Sequence, residues 1–126
     1  KALIISAQDG LDEVSLGAPT QVLVVTPDGN ETHLWHPEMT FGMKMIPPSE
    51  IRVDSPQESA RRIRAVFGGR PENQADEAYI VVNAAAALWL TDKADNMINS
   101  VSLAREIIQS GTTLNLLESY TAKSLM

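Results

Sequence analysis

The stretch ADEAYIVVNAAAALWL, residues 75–90, is apolar nearly all round, and whether it forms strand or helix decides the fold. Its β-branched Ile80, Val81 and Val82 would suit a buried strand. The alanine run from Ala84 to Ala87 and the uninterrupted length favour a buried helix. Asn83 is the odd polar residue inside it. A buried amide without hydrogen bonds costs about 1–3 kcal/mol, so Asn83 is expected to tie its helix to neighbouring backbone and to be structural, not catalytic.

On the C-terminal side, DNMINSVSLAREIIQSG places Ile98, Val101, Ala104 and Ile108 on one helical face and stops at Gly111. TTLNLLESYTAKSLM repeats the amphipathic pattern with Leu114, Leu117 and Tyr120. On the N-terminal side, SPQE is a capping box: Ser55 caps, Pro56 takes the first helical position, and Glu58 reaches back to the cap amide. That helix is expected to end at Gly68 and Gly69. Its Arg61, Arg62 and Arg64 read as a solvated face.

Further upstream, HPEMTFGMKMIPPSEI lacks periodicity and carries three prolines, so it reads as irregular, with Met43 and Met45 as core fillers. QVLVVTPDGNETHLW is two strand-like runs around a Pro27-Asp28-Gly29 turn, hence a β-hairpin. His33 and His36, three apart on a strand, point to opposite faces and do not suggest a shared metal. ALIISA, residues 2–7, reads as a strand buried on both faces. The expected order is a strand, an acidic loop, a hairpin and four helices, an α/β domain.

Composition narrows the function classes. Net charge is -6, with Asp and Glu outnumbering Lys and Arg by 16 to 10, which argues against a nucleic-acid partner. There is no cysteine, so neither disulfides nor thiolate chemistry is open to this chain. No apolar stretch reaches the roughly 18 residues of a membrane-spanning helix. The chain opens on Lys1 without an initiator Met and enters a strand at once, so a missing N-terminal part is expected.

DGLDE, residues 9–13, follows the first strand. In open α/β sheets, ligands gather beyond the carboxyl ends of strands. Carboxylate oxygens suit Mg2+, which is commonly held by one or two acids, waters and substrate phosphates. Asp12 and Glu13 could hold such an ion, with Gly10 allowing the sharp turn before them. A solvated acidic turn fits the same residues, and composition alone leaves both readings open.

Colinear motifs add a resemblance. GLDEVS, GAPT, TPDGN, TFG, NAAAALW and SLAREIIQSG, in this order over nearly the whole chain, resemble the C-terminal part of the anthranilate phosphoribosyltransferase family. The resemblance implies the C-terminal portion of a nucleoside phosphorylase/phosphoribosyltransferase-like α/β domain. Residues 1–126 would be part of that catalytic domain, without the helical N-terminal domain and the phosphate-binding loops. It implies transfer of a phosphoribosyl group from 5-phosphoribosyl 1-pyrophosphate to anthranilate with Mg2+, in a cytoplasmic homodimer that pairs through the N-terminal domain. It also implies that Asp12 and Glu13 are the metal ligands, whereas Asp9 falls on a varying position, so Asp9→Asn is expected to do little. No catalytic residue of this chain is implied.

Ser6 and Ala7 replace the family's usual V-H-G-like stretch, and Ser100 stands where a glycine is frequent. The competing readings are a non-catalytic nucleic-acid-binding relative of the same fold, a nucleoside phosphorylase, and an interaction domain. Retained Asp12 and Glu13 and the acidic balance disfavour the first; a phosphorylase is expected to bring a further C-terminal domain.

Overall fold

The computed structural model describes all residues, Lys1–Met126. Three strands form one antiparallel sheet: β1 (Ala2–Ala7), β2 (Thr20–Thr26) and β3 (Gly29–Trp35), in that spatial order. The Pro27-Asp28 turn joins β2 to β3 with Thr26 opposite Gly29. The Thr26 hydroxyl donates to the Gly29 carbonyl at 2.9 Å, and Gly29 has φ 141°, a conformation that only glycine adopts cheaply.

The helices are α1 (Pro37–Phe41), α2 (Pro56–Phe67), α3 (Gln74–Leu90), α4 (Met97–Gln109) and α5 (Thr112–Ser124). Residues 75–90 are thus helical. Local signals set the ends: Ser55 Oγ accepts from Glu58 N at 3.1 Å, and Asn73 and Asn96 cap α3 and α4. Glu58 reaches one residue beyond the expected cap amide, accepting from Asp54 N at 3.0 Å.

The segment expected to be irregular contains α1 and a 3-10 turn at Pro48–Ile51. Pro37 starts α1 and Gly42, at φ 65°, ends it. One helical turn is too short to show a period, so only its punctuation marks it.

One sheet face packs on α3, which packs chiefly against α4. Val22, Val24, Trp35, Val81, Val82, Ala85, Val101, Ala104 and Ile108 are buried in the shared core. Trp35 lies edge-on to both Phe41 and Trp89, with centroids 5.6 Å apart in each pair, a favoured aromatic geometry. Burial corrects several expectations. Ile98 is 55% exposed and Met97 takes its inward place, because the helix is rotated so that Met97, Val101, Ala104 and Ile108 face α3. Tyr120 is 69% exposed, since α5 covers little of the core, and Met45 is 50% exposed beside the buried Met43.

β1 also differs from expectation. It has one partner, β2, and the sheet is covered on one face, so Ile4 on the other face is 60% exposed. An apolar strand with an open edge pairs readily with further chains. The 126-residue polypeptide is therefore predicted to associate as its concentration rises, and Ile4→Lys to suppress this. Light scattering that finds a monodisperse monomer for the unchanged chain at all concentrations would count against this account of the edge.

Candidate metal and phosphate site

The acidic stretch lies in the loop 8–19 that carries the chain from β1 to β2. These strands are antiparallel, so the loop spans the end of a strand pair and not a βα crossover. Gln8 N donates to Pro19 O at 2.9 Å at its base, and Ala7 N to Leu11 O at 3.0 Å. Val14 and Leu16 are fully buried, which anchors the loop by about 1.5–3 kcal/mol per side chain.

Asn83 holds the middle of the loop. Its Oδ1 accepts from Val14 N at 2.9 Å, and its Nδ2 donates to Val14 O at 3.1 Å and Tyr79 O at 3.0 Å. The amide thus serves both backbone groups of Val14 as a neighbouring strand would. The expected structural role is observed, with Val14 as the backbone it ties.

Asp12 and Glu13 precede that anchor and are exposed. Neither carboxylate pairs with a cationic side chain. Glu13 lines a cavity of about 410 Å³ together with Arg62, Asp76, Tyr79 and Asn83. No three histidine, aspartate or glutamate side chains gather as a ready-made metal cage. Two exposed adjacent hard-oxygen donors, one of them lining a cavity whose other acid, Asp76, is taken up by Arg62, fit the incomplete shell of a Mg2+ site that substrate phosphates would finish.

Arg61 and Arg64 are exposed as expected of a solvated face, but Arg62 is not. Its guanidinium bonds both Asp76 oxygens, at 2.9 and 2.5 Å, and the carbonyls of Arg52 and Glu50 at 2.9 and 3.1 Å. It thereby fastens the 3-10 turn and the start of α3 to α2. The hydrogen bond to Asp76, against the opposing effect of burial, raises the Arg62 pKa above its ordinary value. Asp76, fourteen residues away in sequence, shows no signal of this pairing in the sequence alone. Arg61 pairs instead with Glu72. His33 meets Glu31 Oε2 at 3.2 Å, while His36 lies past the end of β3 and precedes α1 at its N-cap position, without a side-chain capping bond. Ser100 is fully buried and its hydroxyl donates to Asn96 O at 3.0 Å.

Comparison with known proteins defines the class. Residues 1–114 match the glycosyl transferase family, a/b domain, and the chain belongs to that family. It is 40% identical over 120 residues to an anthranilate phosphoribosyltransferase of Thermomicrobium roseum, covering 93% of this chain and 34% of that protein. The anthranilate phosphoribosyltransferase of Saccharomyces cerevisiae is 31% identical, covering 92% of this chain and 33% of that one. Its complex with 4-fluoroanthranilate superposes with a TM-score of 0.83, and its complex with PRPP and Mg with 0.81. The chain therefore spans about a third of the length of these relatives.

Proposed function

We propose that this chain is the C-terminal part of the catalytic α/β domain of an anthranilate phosphoribosyltransferase. In that reading, the protein joins anthranilate to 5-phosphoribosyl 1-pyrophosphate and releases pyrophosphate. The observation that carries it is the exposed pair Asp12 and Glu13, which no basic side chain engages, on a loop held at Val14 by Asn83. The likeness to the yeast enzyme, one structure of which contains PRPP and Mg, supports the same chemistry.

Asp12 and Glu13 are the residues that would hold Mg2+. When bound, the ion supplies charge neutralisation at the pyrophosphate leaving group. The loop anchor keeps both acids in place, so that little reorganisation is required on substrate binding. The helical N-terminal domain and the phosphate-binding loops belong, in this reading, to the part of the relatives' length that this chain does not span. The reading carries with it a cytoplasmic homodimer that pairs through that domain. A nucleic-acid-binding relative is disfavoured by the net charge of -6 and by the retained acid pair.

The test is an anthranilate consumption assay with 5-phosphoribosyl 1-pyrophosphate and Mg2+. The full-length gene product is predicted to be active. The 126-residue chain alone is predicted to be silent, because a metal pair without a phosphate cradle lacks the positioning that transfer needs. An inactive full-length product would sink the assignment, and turnover by the isolated chain would refute the division of the site.

A further inference from the structure

We propose that Asp9 is a positioning residue for the acid pair, acting through Ser15 to close the loop into the shape that presents Asp12 and Glu13. The inference rests on the reading of that pair given above. Asp9 and Ser15 flank the pair in sequence, and Ser15 Oγ donates to Asp9 Oδ2 at 2.5 Å.

The surrounding bonds direct the Ser15 proton to Asp9. Tyr79 Oη lies 3.5 Å from Ser15 Oγ, but its own proton goes to Ile46 O at 2.7 Å. Ser15 Oγ accepts from Gly17 N at 2.9 Å, and Ser15 N donates to Thr20 Oγ1 at 3.1 Å. Ser15 is 1% exposed, so its hydroxyl is a fixed point in the core. Leu11 N donates to the other Asp9 oxygen at 3.4 Å, which ties the near side of the loop to the same carboxylate.

Gly17 makes room for this contact. A Cβ there would lie 2.9 Å from Asp9 Oδ2 and 2.5 Å from Pro48 Cδ. The Asp9 carboxylate is thus lodged against backbone, although the residue as a whole is exposed. A freely solvated turn acid needs neither a buried hydroxyl partner nor the cleared space. Groups that orient metal ligands from behind typically govern 10–100-fold of metal affinity or activity.

The test uses the full-length gene product with Asp9→Ala, Asp9→Asn, Ser15→Ala and the double variant Asp9→Ala/Ser15→Ala. Mn2+ is titrated calorimetrically in the presence of 5-phosphoribosyl 1-pyrophosphate, and circular dichroism sets the folded fraction. Asp9→Ala is expected to weaken Mn2+ binding by about tenfold. Asp9→Asn keeps an acceptor oxygen for Ser15 and is expected to stay close to the parent. Ser15→Ala should match Asp9→Ala, and the double variant should be no worse than either, because one interaction is being removed twice.

Asp9→Asn as damaging as Asp9→Ala would mean that Asp9 acts by its charge, and would overturn the proposal. An additive double variant would overturn it too. If Asp9→Ala binds Mn2+ like the parent while Asp12→Asn does not, positioning fails and the acid pair stands. If Asp12→Asn also binds like the parent, the pair itself is misread and this inference falls with it.

Discussion

In the full-length gene product, Asp12→Asn and Glu13→Gln are each expected to cut turnover by a factor on the order of a hundred or more. Each exchange keeps size and removes one charge from an exposed pair that has no cationic partner. Loss of such a preorganised electrostatic contact is felt in the transition state, where charge on the leaving group is greatest. The Mg2+ concentration for half-maximal rate should rise in both variants. Stability should stay level or rise without metal, since three acids lie within residues 9–13 and removing one eases their repulsion. The measurement is turnover across a Mg2+ titration, with Asp9→Asn alongside. Should all three variants match the parent with unchanged Mg2+ dependence, the loop is a solvated turn.

The second large effect is expected at Asn83. Asn83→Leu keeps a similar volume but strips Val14 of both its hydrogen-bond partners. Val14 is fully buried, so water does not readily replace them. A buried backbone group left unpaired costs about 1–3 kcal/mol, and here two are orphaned together. The melting temperature should fall by several degrees for each kcal/mol lost. Turnover per folded molecule should fall much less than in the carboxylate variants, because Asn83 touches the loop at Val14 and not at Asp12 or Glu13. Thermal unfolding followed by turnover corrected for the folded fraction separates the two effects. Normal melting with abolished turnover would make Asn83 a participant in the reaction.

The elements with local causes were legible in the sequence. Ser55 marks the start of α2 through a bond that reaches three residues, and Pro27-Asp28-Gly29 marks the hairpin. The choice of helix for residues 75–90 came from alanine content and length, which are also local properties. The order of strand, acidic loop, hairpin and four helices followed from these, and α1 escaped only because one turn has no period. The acid pair stood out as well, because adjacent carboxylates after a strand are visible without coordinates.

What holds that pair in place was not legible. Asn83 finds Val14 across 69 positions, and Arg62 finds Asp76 across 14, so neither partner could be named from spacing. Asp9 looked like one more exposed acid until the folded loop set its oxygen against Ser15. Ile4, Ile98 and Tyr120 fit apolar patterns that say a face is hydrophobic but not what covers it. Burial depends on which elements meet, and a helix rotation well short of the roughly 100° between neighbouring residues is enough to exchange Ile98 for Met97. The sequence by itself determined the elements and the presence of the adjacent acids, because both arise within a few residues. Only the tertiary structure decided how the loop is clasped and which apolar residues are covered, because those contacts close over distances along the chain that local preferences do not span.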